Sequence, residues 1–390
     1  MTFAERVNQL EAEGAYVVLA RANELAAQGR DIIHLEIGQP DFPTYPHVSM
    51  AGVGAIANGH TRYTPPAGMP KLREVIAADG GARRGMQVSP AEVLVGPGGK
   101  PGLFFPTLAL IEPGRGDEVI YPDPGFPTYL AMIEIAGGVP RPVPLLEENS
   151  FSFDLAAFDA MVNEKTKLVV LNSPANPTGG VMPLADLEHI AAAAQKYNFW
   201  VISDEIYARL TYDGLPAPSI AALPGMKERT IIVDGFSKTY AMTGWRLGFA
   251  IMPVALADRV SLLLTHSIGC TAGFTQVAGI EALTGPQEMV DAMVATFQAR
   301  RDRMITGLNA IPGVRCQVPE GAFYAFPNVS SFGIPSKELA LRILDEAGVA
   351  VLSGTDFGPH GEGYLRLCYA NSLENINRAL ERLAAFFAGL

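Results

Sequence analysis

The sequence predicts an α/β protein: a large domain built on a mostly parallel sheet, joined to a smaller α+β domain. Three observations carry that reading. From about residue 90 to 250, short apolar runs alternate with helical stretches, the pattern of strand–helix–strand units. The runs are apolar throughout, not at every second residue, as in strands covered on both faces. Beyond about residue 310 the pattern changes to brief strand-like pieces closed by one amphipathic helix. A chain of 390 residues also exceeds one small core, so two domains are the natural expectation.

The elements follow in order. An arm and a helical pattern through Ala20–Leu25 stop at Gly29. A short strand, Ile32–Leu35, ends in the turn Gly38-Gln39-Pro40-Asp41-Phe42. The stiff loop His60–Pro70 presents Tyr63 before a helix starting near Lys71. The strand Glu92–Val95 runs into Gly96-Pro97-Gly98-Gly99-Lys100-Pro101 and a helix to Ile111. A glycine turn followed by a helix N-terminus is a ready anion site, because free N–H groups and the positive dipole end face the ligand. Glu118–Tyr121 is a strand whose turn, Pro122–Phe126, offers the aromatic Phe126. Lys167–Leu171 ends in Asn172-Ser173-Pro174-Ala175-Asn176-Pro177-Thr178-Gly179. A helix over about Leu184–Tyr197 leads to the strand Trp200–Ser203, which delivers Asp204. A carboxylate leaving the core there needs a cationic or N–H partner. Thr230–Val233 leads to Gly235-Phe236-Ser237-Lys238-Thr239 and Gly244-Trp245-Arg246-Leu247-Gly248. Beyond Gly248 the pattern is helical to about residue 310, including Val290–Leu308. Strand-like pieces then fall at Arg315–Val318, Ala322–Phe326, Ala350–Leu352 and Tyr364–Leu367, before a helix over Leu373–Phe387. Arg366 alternates with apolar neighbours, so it must meet a carboxylate if it faces inward.

Composition narrows the function. Hydrophobic residues make up 48% and charged residues 18%, a packed composition and not a disordered one. A net charge of −11 disfavours nucleic acid and anionic membranes as partners. Three widely spaced cysteines suit neither a disulfide framework nor a zinc site, and no metal is expected. The N-terminus lacks a secretory pattern, and no apolar stretch reaches membrane-spanning length. A cytoplasmic protein is the expectation.

The chemistry centres on Lys238. A lysine at the end of a buried strand is a candidate Schiff-base nucleophile, since partial burial lowers its pKa. Ser237 and Arg246 nearby suit a phosphate. Together they point to an aldimine with a phosphorylated aldehyde, pyridoxal 5′-phosphate. Gly98, Phe126, Asn172, Asn176, Asp204 and Lys238 all follow predicted strands, where ligands of parallel sheets bind.

The ordered set Asn172–Gly179, Ser203–Tyr207, Phe236–Gly248 and Tyr364–Leu367 resembles class I (aspartate aminotransferase-like) aminotransferases, fold type I enzymes that use pyridoxal phosphate. The resemblance implies an arm with part of the small domain over 1–45, a large cofactor domain over 46–285 and a small domain over 286–390. It implies an amino acid:2-oxo acid aminotransferase running a ping-pong cycle through Lys238, which also moves the proton. Asp204 would pair with the pyridine N–H, Asn176 and Tyr207 would bond the ring oxygen, and Phe126 would stack on the ring. Gly99, Lys100, Ser237 and Arg246 would hold the phosphate. Arg366, Asn176 and the Gly38 backbone would bind the substrate carboxylate. Tyr63 would reach the phosphate of a second subunit, making a homodimer with shared sites. Two positions depart from the family pattern: Gly235 replaces a serine, and Gly96-Pro97-Gly98 replaces a hydroxyl-bearing turn. A β-lyase on the same apparatus is the alternative. A cofactor-sensing regulator would need a DNA-binding segment, and none is seen before residue 30. Arg62 and Arg141 are candidates for a second arginine that would read a dicarboxylic side chain.

Overall fold

The computed structural model describes residues 3–8, 10 and 12–390. In chain order the strands are β1 (Ile33–His34), β2 (Val93–Gly96), β3 (Glu118–Asp123), β4 (Val139–Leu146), β5 (Ser152–Phe153), β6 (Thr166–Asn172) and β7 (Trp200–Asp204). They continue with β8 (Thr230–Gly235), β9 (Gly248–Ile251), β10 (Tyr324–Ala325), β11 (Val349–Ala350), β12 (Leu352–Ser353) and β13 (Leu365–Cys368). An eight-stranded sheet runs β2-β9-β8-β7-β6-β3-β4-β5. The pairs β4/β3, β3/β6, β6/β7 and β7/β8 are parallel, as the alternating pattern predicts. Strands β6 to β8 are buried almost throughout, which explains their unbroken apolar runs.

Sequence and structure differ in instructive places. β9 lies in the stretch read as helical and pairs antiparallel with both β2 and β8. Four apolar residues followed by a proline carry too little periodicity to mark a strand. β4 was also missed, because it holds Pro140, Pro142 and Pro144. These occupy alternate positions, so their nitrogens, which carry no hydrogen, share one side of the strand. That side faces away from β3, since the Pro144 carbonyl accepts from Asp154 beyond it. Proline is tolerated at such an edge.

The expected strand Arg315–Val318 is irregular, with a single bridge from Arg315 to Asn328. The expected strand Ala350–Leu352 is divided: β11 pairs with β1, and β12 with β13. Helices match more closely. Leu184–Tyr197 is helical over the expected span, and the last helix is Leu373–Ala388. The helix Glu288–Asn309 extends the expected Val290–Leu308 at both ends.

Two apolar cores flank β6–β8, one under helices Lys100–Leu110 and Thr128–Ala136, the other under Leu184–Tyr197. A separate core unites β1, β10, β11 and β13 with the helices Glu288–Asn309 and Leu373–Ala388.

A seam of glycines crosses the large sheet at its functional edge. Gly248 pairs with Gly96 on one side and Gly235 on the other. A Cβ on Gly248 would overlap the backbone of Gly98. The substitution Gly248→Ala should therefore cost roughly 1–3 kcal/mol, the usual range for an overpacked site. Chemical denaturation of the two proteins, compared at equal slope, checks this; an unchanged midpoint would refute it.

Candidate active site

Strands β2, β3, β6, β7 and β8 end at one edge of the sheet, and a cavity of about 1440 Å³ opens there. Register places Asn172, at the end of β6, opposite Asp204, at the end of β7. Lys238 follows β8 by three residues. Eleven of the twelve site residues expected from sequence line this cavity: Gly38, Gly99, Lys100, Phe126, Asn176, Asp204, Tyr207, Ser237, Lys238, Arg246 and Arg366. The twelfth, Tyr63, does not; it stands on the surface, 98% exposed.

The Lys238 amine donates to the Gly38 carbonyl at 2.6 Å and lies 5.8 Å and 5.7 Å from the ring centres of Tyr207 and Phe323, which themselves meet edge-on. Burial brings its pKa down to about 8, and the positive charges of Arg366 and Arg246 add to that drop against opposing pulls from Cys368 and Asp204. The Asp204 carboxylate takes one hydrogen bond from the Tyr129 hydroxyl at 2.8 Å and one from the Ile206 N–H at 3.2 Å. Burial nevertheless pushes its pKa up to about 6, so its charge calls for a cationic or N–H partner from the cavity.

The turn after β6 is held by its own side chains. Asn172 donates to the Asp204 carbonyl at 3.1 Å, and its Oδ1 accepts from the Asn176 N–H at 2.8 Å. Asn176 Oδ1 in turn accepts from Arg366 Nη1 at 3.3 Å. Arg366 is nearly fully buried; its Nη2 donates to the Glu36 carbonyl, and its guanidinium lies over the rings of Tyr324 and Phe357. Its Nε has no protein partner.

At the other end of the cavity, Gly99 and Lys100 open the helix Lys100–Leu110. Arg246 crosses to this loop, donating to the Thr243 carbonyl at 2.8 Å and to Pro97 at 3.4 Å. Gly98 has φ +92°, and a Cβ there would overlap the Arg246 guanidinium. The glycine turn thus admits the arginine as well as bending the chain. Lys100 pairs with Glu13, and its amine lies 5.4 Å from the centre of the Phe126 ring. Phe126 meets Tyr129 edge-on.

Gly235, where a serine was expected, has an explanation in packing. A Cβ would sit 3.1 Å from Gly248 Cα and 3.2 Å from Ile206 Cδ1. A side chain here fits only if those neighbours give way.

Neither candidate second arginine reaches the cavity. Arg141 lies on β4 and pairs with Glu118, and Arg62 is exposed on its loop. Sequence reasoning missed Tyr129 and Tyr324. Tyr129 follows Phe126 by three residues, in the first turn of the helix Thr128–Ala136 that starts after it. Tyr324 lies in a run of aromatic residues in which nothing marks one as different from its neighbours.

A phosphorylated pyridine aldehyde suits this donor set. Helix N–H groups, Arg246 and Ser237 are donors that would suit a phosphate, the buried Asp204 carboxylate would suit a ring N–H, and Lys238 offers an amine with a lowered pKa. In the cofactor-free protein burial should leave that amine deprotonated above about pH 8, and the neutral form is the nucleophile. Labelling of Lys238 by an amine-selective reagent should therefore rise through pH 8. A rise centred above pH 10, as for a free lysine, would contradict the burial argument.

Comparison with known proteins agrees with this geometry. Residues 30–383 match the family model for aminotransferase class I and II. The chain is 42% identical to the putative aminotransferase YugH of Bacillus subtilis over 93% of each sequence. It is 38% identical to the aspartate aminotransferase of Geobacillus stearothermophilus over 99% of each. Among solved structures it resembles the aromatic aminotransferase of Pyrococcus horikoshii, with a TM-score of 0.90 and 37% identity over 95% of this chain and 99% of that one. The chain belongs to the class I and II aminotransferases, and it is a fold type I transaminase dependent on pyridoxal phosphate.

Proposed function

We propose that this enzyme moves an amino group between an L-amino acid and a 2-oxo acid with Lys238 as the cofactor-bearing and proton-shuttling residue. The observation that carries the assignment is the convergence of Lys238, Asp204 and Arg366 on one cavity. Bound at Lys238, pyridoxal phosphate supplies an electron sink for the electrons released when the Cα proton leaves. Everything else falls to the chain. Asp204 holds the ring nitrogen protonated, and its burial strengthens that pairing. Tyr207 and Asn176 bond the ring oxygen, and Phe126 covers the ring. Gly99, Lys100, Ser237 and Arg246 hold the phosphate. Arg366, Asn176 and the Gly38 backbone hold the substrate carboxylate. Freed from the cofactor, the Lys238 amine has a pKa lowered by burial to about 8, which suits a base that takes a proton and returns it.

The division into domains at 46–285 and 286–390, with an N-terminal arm, is part of this proposal. It is supported by the separate core around the helix Glu288–Asn309 and by the pairing of β1 with β11. A cytoplasmic setting fits three cysteines without disulfides. Among the described residues no helix is long and apolar enough to cross a membrane. The named relatives act on different side chains, aspartate and aromatic, so the substrate is left as an α-amino acid read through its carboxylate.

Arg366→Ala should raise KM for the amino acid and the oxo acid together, by roughly 10- to 100-fold, because both present the same carboxylate to one guanidinium. Steady-state kinetics in both directions test it. Loss of cofactor affinity with unchanged KM would place Arg366 elsewhere.

We further propose a homodimer with shared sites, in which Tyr63 enters the partner's cavity. Its near-complete exposure and its absence from the cavity of its own chain support this. Mixing Lys238→Ala with Tyr63→Ala chains at limiting cofactor should restore activity. Each hybrid then holds one site with Lys238 and Tyr63 both intact. Demonstrated subunit exchange without recovery would rule out the shared site.

A further inference from the structure

Tyr324 has no role in the assignments above, yet it touches several of the residues that do. It sits on β10, fully buried, and its hydroxyl lies 2.7 Å from the Tyr207 hydroxyl. The two rings meet edge-on at 82°. The Arg366 guanidinium lies 4.6 Å from the centre of the Tyr324 ring, carried by β13, which pairs with β10. Gly38, whose carbonyl receives the Lys238 amine, has no room for a Cβ because the Tyr324 hydroxyl occupies that space. Tyr324 therefore packs against the lysine's anchor, the carboxylate-binding arginine and the tyrosine that faces the cofactor ring.

A phenol has one proton to donate. Two phenols in contact use one such proton between them and leave the other free. If Tyr207 donated to Tyr324, its proton would be unavailable to the cavity. If Tyr324 donates, Tyr207 accepts on its lone pair and keeps its proton for the cavity. Electrostatics select the second arrangement. The Arg366 guanidinium lies directly over the Tyr324 ring, and its charge draws the Tyr324 pKa down against burial. The phenol beside the guanidinium is the better donor. A donated hydrogen bond also polarises the acceptor, making Tyr207 a stronger donor in turn.

We propose that Tyr324 is a positioning residue for the aminotransferase reaction. It donates its hydroxyl proton to Tyr207, so that the Tyr207 O–H is fixed in direction and aimed at the cofactor's ring oxygen. The inference rests on the assignment of Tyr207 made above. It also connects the three-stranded sheet that carries Arg366 to the segment after β7 that carries Tyr207.

The test uses the holoenzyme and follows the pH titration of the bound cofactor's visible absorption, alongside kinetics. Donation to a negatively charged ring oxygen favours the less protonated state, so weakening it must raise the titration midpoint. Tyr207→Phe should raise the midpoint. Tyr324→Phe, which keeps the ring over Arg366, should raise it in the same direction by roughly half to one pH unit, the worth of one hydrogen bond. The double variant should match Tyr207→Phe alone, because Tyr324 acts through Tyr207. KM for the carboxylate substrates should change little in Tyr324→Phe, since Arg366 is retained. If Tyr207→Phe moves the midpoint and Tyr324→Phe does not, this inference falls while the Tyr207 assignment stands. If Tyr207→Phe itself leaves the midpoint in place, both fall together. A Tyr324→Phe enzyme with a lower Tm and an unmoved midpoint would show a packing role only and would also overturn the proposal.

Discussion

The site depends on one costly arrangement, a carboxylate buried at the end of a central strand. Asp204 is only 5% exposed, and two hydrogen bonds from Tyr129 and Ile206 do not offset its desolvation. A buried charge of this kind is retained where a ligand completes it. Its surroundings follow from that need. β6 and β8 flank it, so the Asn172 side chain can bond the Asp204 backbone while Lys238 arrives from the other side. Behind it, Glu205 and Asp234 share the buried Arg84, and Glu205 also accepts from Ser203 and Ser219. Arg84 offers these two carboxylates a counter-charge, yet both still add to burial in raising the Asp204 pKa.

The Arg366 end of the cavity is assembled from the second core. Arg366 belongs to β13, yet it reaches Asn176 on the large sheet and the backbone of Glu36 on the N-terminal segment. Further contacts hold the two regions together. Glu147 accepts from Arg315, Asn328 and Tyr364. His360 Nδ1 lies 2.8 Å from Asp123 Oδ2, and the Gly125 N–H donates to the Phe357 carbonyl at 2.7 Å. Phe357 covers the Arg366 guanidinium. The turn that carries Phe126 and the segment that covers Arg366 are thereby fixed against each other. The same contacts thus set the positions of Phe126 and Arg366 at the cavity.

The chemistry was largely legible in the sequence. A lysine, an aspartate and a glycine turn each followed an apolar run, and strands covered on both faces announce themselves by continuous apolar residues. Parallel strands must end at a common edge, so residues after separate strands were expected to meet. Lys238, Asp204, Asn176 and Gly99 do so. The long helices were equally readable, because a 3.6-residue period repeated over four turns is hard to mistake.

What the sequence could not determine was anything set by contacts between distant segments. The antiparallel β9 and the proline-bearing β4 are strands because neighbours pair with them, not because their residues demand it. Gly235 read as a missing hydroxyl, whereas packing against Gly248 and Ile206 accounts for its small size. Arg141 could have faced a substrate until its pairing with Glu118 placed it on an outer strand. Tyr324 could be any core aromatic until the fold put its hydroxyl on Tyr207, 117 residues away in the chain. Local pattern encodes which residues lie inside and at strand ends. Which hydroxyl meets which, across such separations, is decided only when the two cores pack.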